Sequence, residues 1–79
     1  MGTWRKFTMV NLRLQFGKRL RQIRRARHLT QEEFSELIGI SVDFLSLIER
    51  GINAPSFETI DQMAVKLGIP VSALFTFES

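Results

Sequence analysis

The sequence predicts an all-α fold, a compact bundle of five short helices, from three observations. Apolar residues recur at the i, i+3, i+4 spacing of helices that each bury one face. Residues that start helices stand just before several of these runs, and glycine or proline follows them. The chain has 79 residues and a hydrophobic fraction of 44%, enough for one modest core and one domain. Helices are expected at about 12–27, 31–38, 42–50, 57–67 and 71–75, after an N-terminal arm or extension over residues 1–11.

The arm carries Trp4, Arg5, Lys6, Phe7, Met9 and Val10 without clear periodicity. Two roles are open for it. Arg5 and Lys6 could reach an anionic partner, or Trp4 and Phe7 could pack on the domain or on a second subunit. The cost of leaving two large aromatics in water favours packing. In the first helix Phe16, Leu20 and Ile23 form the apolar stripe, with Lys18, Arg19, Arg21, Arg25 and Arg27 mostly off it. Arg24 lies beside the buried stripe, which makes it a candidate for an ion pair. His28 follows the helix and reads as a C-terminal cap rather than as a ligand or base.

The central stretch, Gln31 to Arg50, holds two helical patterns that meet at Ile38-Gly39-Ile40 with no room for a loop. Phe34, Leu37 and Ile38 share one face of the first, and Phe44, Leu45 and Ile48 share one face of the second. Thr30 with Glu33 makes a capping box, with Leu29 and Phe34 placed for a hydrophobic staple. Ser41 repeats the cap, with Ile40 and Leu45 as its staple pair. Gly39 falls where the first helix must stop in a left-handed conformation, and small Ser35 lets the second helix approach. Helix, three-residue turn, helix is a helix-turn-helix unit.

Beyond it, Gly51 to Pro55 is a loop and Ser56 caps the fourth helix. Phe57, Ile60, Ala64 and Leu67 are expected to form that helix's inner stripe, and Gly68 followed by Ile69-Pro70 ends it. A last short helix should turn Leu74 inward.

Composition excludes several functions. Cysteine is absent, which removes disulfides and thiol chemistry and fits a reducing cytoplasm. No apolar run approaches the roughly 18 residues of a membrane span, and no signal peptide is visible. A single histidine, no Gly-rich phosphate loop and no metal-ligand cluster argue against an enzyme, a metal or any cofactor. Charge is the positive signal. Residues 1–30 contain nine Lys or Arg and no acid, while residues 31–79 contain two cations and eight acids. A basic surface supplied by the N-terminal third suits phosphates.

The residues Leu29-Thr30-Gln31-Glu32-Glu33, Gly39-Ile40-Ser41, Ile48-Glu49-Arg50-Gly51 and Pro55-Ser56-Phe57-Glu58-Thr59 resemble, in register, the DNA-binding core of the XRE family. That family includes the domains of lambda-type phage repressors and Cro, and the likeness runs from about Phe16 to Phe75. It implies a lambda-repressor-like domain with the helix-turn-helix at helices 2 and 3, and double-stranded DNA as the partner. By position, Val42, Asp43, Ser46 and Leu47 become the candidates for base readout. Asp43 could accept from a cytosine amino group or serve the helix N-terminus instead. The family often has Lys or Arg where Leu47 stands, so readout is expected to lean on apolar contact, water and DNA shape. Gln31, Arg50 and Asn53 are the expected phosphate contacts, and Arg24 with Glu49 the structural ion pair. Where His28 stands, the family often has glycine.

The resemblance further implies a homodimer on a palindromic operator, because one recognition helix reads only a few base pairs. Met63, Val71, Phe75 and Phe77 are the surplus apolar residues for its interface. The expected function is transcriptional regulation, of repressor or restriction–modification controller type, in the cytoplasm at the nucleoid. No small-molecule effector is expected. The alternative is an antitoxin or a helix-turn-helix adaptor that binds protein.

Overall fold

Capping chemistry written into the sequence sets the ends of the helices in the computed structural model, which describes residues 11–77. Helix α1 spans Leu12–Ala26 and opens on Asn11, whose side chain accepts from the Leu14 amide. Helix α2 spans Gln31–Ile38 and carries the full capping box: Thr30 Oγ1 accepts from the Glu33 amide, and the Thr30 amide donates to Glu33 Oε1 at 2.9 Å. Helix α3, Val42–Glu49, and helix α4, Phe57–Leu67, are capped more simply, the Ser41 and Ser56 hydroxyls accepting from the Phe44 and Thr59 amides. Each cap satisfies amides that the helix itself cannot, worth about 1 kcal/mol.

The fifth element departs from the five-helix expectation. Val71–Phe75 is a single 3-10 turn, so the architecture is four α-helices and one turn. Pro70 sets its start, five residues are too few for a stable α-helix, and no side chain caps it.

Gly39 ends α2 at φ 81°, and the amides of Gly39 and Ile40 both return to the Ser35 carbonyl. That left-handed residue is what turns α3 across α2 without a loop. Past the end of α1, His28 is also left-handed, at φ 58°. A residue with a Cβ is strained there.

The core joins Phe16 and Leu20 of α1, Phe34 and Ile38 of α2, and Leu45 and Ile48 of α3 to the inner face of α4 and to Leu74. α1 packs on α3 and on the 3-10 turn, while α4 packs on α2 and on the turn. Three expected positions differ. Leu37 is 38% exposed, and Ser35 takes the buried place beside Phe34 and Ile38, where its small side chain fits against the packed helices. Phe57 is 86% exposed, at the first position of α4 rather than on its inner stripe. Met63 has no exposed surface and completes the stripe of Ile60, Ala64 and Leu67. A side chain three residues from Ile60 and four from Leu67 must face the same way.

Gly17 lies mid-helix, where glycine costs up to about 1 kcal/mol relative to alanine. Its role is close approach. A Cβ there would sit 2.1 Å from the carbonyl oxygen of Ile48, so α1 rests directly on the last backbone turn of α3. Two long-range bonds close the domain. Arg19 Nε donates to the Ala73 carbonyl at 2.8 Å, and Arg27 Nη2 donates to the Leu67 carbonyl at 2.6 Å. The second bond sits at the C-terminus of α4, where a cation is favoured by the helix dipole.

Two substitutions test this packing by thermal denaturation. Gly17→Ala should destabilise by roughly 1–3 kcal/mol despite its better helix propensity, because the clash is with backbone that cannot rotate away. His28→Gly should do the opposite. Relief of the left-handed strain exceeds the added unfolded-state entropy, giving up to about 1 kcal/mol and a melting point higher by several degrees.

Candidate nucleic-acid interface

The site is built on a buried carboxylate. Glu49 is the last residue of α3, and its side chain is only 2% exposed. Arg24 of α1 meets it with both arms of the guanidinium, Nε to Oε2 at 2.8 Å and Nη2 to Oε1 at 3.0 Å. Nη1 donates to the Leu29 carbonyl at 3.0 Å, so each of the three guanidinium nitrogens makes a hydrogen bond. Gln31, the first residue of α2, donates from Nε2 to Glu49 Oε1 at 3.1 Å. Arg21 stands at the rim, half exposed, with Nε 4.0 Å from the same oxygen. Three helices therefore share one hydrogen-bonded centre. The bonds to Glu49 raise the Arg24 pKa above its already high ordinary value, outweighing partial burial. That cation is constant at any working pH.

This centre fixes how α3 projects. Val42 and Asp43 in its first turn are exposed, while Ser46 and Leu47 one turn on are half-buried. Phe44 is half-buried and packed on the core. Two of the four base-readout candidates are thus open and two lie at the edge of the packed surface. Past α3, the amides of Ile52 and Asn53 both return to the Leu47 carbonyl. This holds the turn close under the helix. Arg50 and Asn53 are exposed on that turn.

Among the phosphate candidates, Gln31 is brought to Glu49 and not left free. A carboxamide nitrogen carries two protons, so one remains after that bond is made. The expected basic surface is smaller than the sequence suggested. Arg19 and Arg27 spend hydrogen bonds on backbone carbonyls, and Arg24 is spent on Glu49. Lys18, Arg21 and Arg25 remain exposed, at the i, i+3, i+7 spacing of one helix row. The long-range arginine bonds have no local sequence signal. Gly17 did have one: an unexplained glycine inside a helix marks a backbone contact.

The interface candidates divide. Val71 is exposed, and Phe75 and Phe77 are half-buried in a tilted aromatic row running from Phe16, with ring centroids 5.2 and 6.1 Å apart. Met63 is corrected: it belongs to the core and offers no surface to a partner. The arm residues Trp4, Arg5, Lys6 and Phe7 lie outside the described residues.

A family model described as helix-turn-helix, HTH_3, matches residues 20–74, a segment that contains α2, the turn at Gly39 and α3. The chain belongs to the HTH_3, or XRE-type, helix-turn-helix family. It is 41% identical over 58 residues to the immunity repressor protein of Bacillus phage phi105, covering 73% of this chain and 40% of that one. It is 41% identical over 59 residues to the HTH-type transcriptional regulator YazB of Bacillus subtilis, covering 75% and 86%. The crystal structure of the restriction–modification controller protein C.AhdI from Aeromonas hydrophila superposes with a TM-score of 0.74 at 35% identity. That likeness covers 80% of this chain and 96% of the controller. Helices α2 and α3 are the helix-turn-helix unit of the matched segment.

The shared carboxylate gives a sharp expectation. Glu49→Ala strands the Arg24 charge in a nearly dry site and should cost roughly 3–5 kcal/mol. The double variant Arg24→Met/Glu49→Leu should lose much less, because no charge is left unpaired. Denaturant titration of wild type, Glu49→Ala and the double variant measures both.

Proposed function

We propose that this protein is a sequence-specific double-stranded DNA-binding transcriptional regulator, of repressor or restriction–modification controller type. It acts by occupying a palindromic operator as a homodimer in the cytoplasm, and carries out no catalytic step. The observation that carries this reading is the Arg24–Glu49–Gln31 centre, which sets α3 at a fixed attitude with its first turn open.

In this reading Val42 and Asp43 meet base edges first, with Ser46 and Leu47 behind them. Val42 and Leu47 offer apolar contact to thymine methyl groups, and Ser46 can donate or accept. Gln31 keeps one N–H for a phosphate while the other holds Glu49, so its clamp is preorganised. Arg50 and Asn53 hold the backbone on the other side of the groove, and the row of Lys18, Arg21 and Arg25 adds a general attraction. The family membership and the likeness to a phage repressor and a controller protein support the same assignment.

In vitro selection of bound DNA, followed by a salt series on the selected fragment, tests the reading. Enrichment of an inverted repeat and a steep fall of affinity with salt are expected. Arg50→Gln should weaken binding about equally on all sequences and reduce the salt slope by about 1. Val42→Ala should instead relax preference at particular positions. Selection that yields no enriched sequence would overturn the proposal.

A further inference from the structure

Phe57 is the most exposed large apolar side chain among the described residues, and it stands at the start of α4 with a cavity on each side. The cavity of about 310 Å³ lies toward α1, with Leu12 and Arg13 on its walls. The cavity of about 440 Å³ lies toward the 3-10 turn, with Val71, Glu58 and Asp61 on its walls. Ile60 and Phe75 line both. Leu12 and Val71 are themselves exposed apolar residues, so the patch is continuous across Phe57. A continuous apolar patch around a projecting ring calls for a cover.

Attachment, shape and charge say what covers it. Leu12 and Arg13 open α1, so residues 1–10 join the domain at the edge of the nearer cavity. Phe7 and Trp4 stand four and seven positions before Asn11, a reach of up to about 13 and 23 Å at roughly 3.3 Å per residue. So short a tether gives the arm an effective concentration on the order of millimolar at this surface. A second copy related by a two-fold through Phe57 would stack that ring on its own image and leave the cavities beside it unfilled. The arm instead brings two large rings to two hollows, and those rings are costly to leave in water. Residues 1–10 also hold Arg5 and Lys6 and no acid. Glu58 and Asp61 make no ion pair with another described residue. On the other side of Phe57, Arg13 offers the face of a guanidinium to an aromatic ring.

We propose that residues 1–10 pack in cis across this surface, as a cover on the apolar face of their own domain. Phe7 fills the cavity nearer α1, Trp4 fills the cavity beyond Phe57, and Arg5 and Lys6 lie against Glu58 and Asp61. The two cations of the arm are then spent on acids of the fold and not offered to DNA. Val71 and Phe75 lie beneath the arm, while Phe77 stays outside both linings. The proposal goes beyond the DNA-binding reading and does not depend on it.

Trp4 is the only tryptophan of the chain and tyrosine is absent, so tryptophan emission reports on the arm alone. Acrylamide quenching of the full chain, without DNA, tests the proposal. Trp4 should emit to the blue of the denatured chain and be quenched several-fold less readily. Phe57→Asp should raise quenching several-fold while far-UV circular dichroism stays that of wild type, since an acid suits the first turn of a helix. Glu58→Lys/Asp61→Lys should also raise it, and adding Arg5→Glu/Lys6→Glu should lower it again. A mixture separates cis from trans. An excess of Trp4→Phe chain, silent in the assay but with its surface intact, should leave the tryptophan of Phe57→Asp exposed. Return of shielding in that mixture would place the ring on a second copy and overturn the proposal. So would a wild-type Trp4 quenched as freely as in denaturant, or a shielded Trp4 that none of these substitutions exposes.

Discussion

One buried carboxylate constrains the rest of the molecule. Glu49 terminates α3, and burying its charge is tolerable only because Arg24 and Gln31 supply three hydrogen bonds between them. Those donors come from different helices, so solvating the charge and setting the angle of α3 are the same act. A hydrophobic replacement could match the stability. It would not specify the angle, since apolar contacts tolerate sliding where a bidentate pair does not. The contact of Gly17 with the Ile48 carbonyl acts on the same end of α3 from the backbone side. Helix α3 is thus gripped at its C-terminus, leaving its N-terminal turn clear.

Most of the helix ends were legible in the sequence because their causes are local. Thr30 with Glu33, Ser41, Ser56 and Gly39 each act within a few residues, and each performs its expected role. The fold family was legible for a related reason: the spacing of these signals leaves little freedom to the chain between them. What failed was the allocation of faces where a helix has more apolar residues than it can bury. Phe57 and Met63 competed for the inner stripe of α4, and hydrophobicity favoured the larger ring. Position decided otherwise, because the first residue of a helix sits beyond the edge of the core while Met63 is at its middle.

The site was legible as a set of positions and less so as a set of partners. Arg24 was legible, since its place beside the buried stripe marked it for an ion pair and the family resemblance supplied Glu49 as its partner. Charge counts present Arg19 and Arg27 as equivalent to Arg21 and Arg25, yet both end at backbone carbonyls, those of Ala73 and Leu67, far off in sequence. A guanidinium serves both ends well, since its stem packs along the core while its planar head seeks oxygen. The field around the domain is therefore shaped by which arginines the fold consumes, not by how many the sequence contains.

The bond from Arg19 to the Ala73 carbonyl spans 54 positions of the chain and fastens the last turn onto the first helix. Every other element of the core lies between those two anchors. Short local helices would otherwise fray independently, as beads with separate opening equilibria. Closed into a ring around a common core, they share one equilibrium, and protection from solvent exchange at α3 becomes a property of the whole domain. The exposed first turn of α3 then opens only as the core opens, and presenting it needs no separate ordering step.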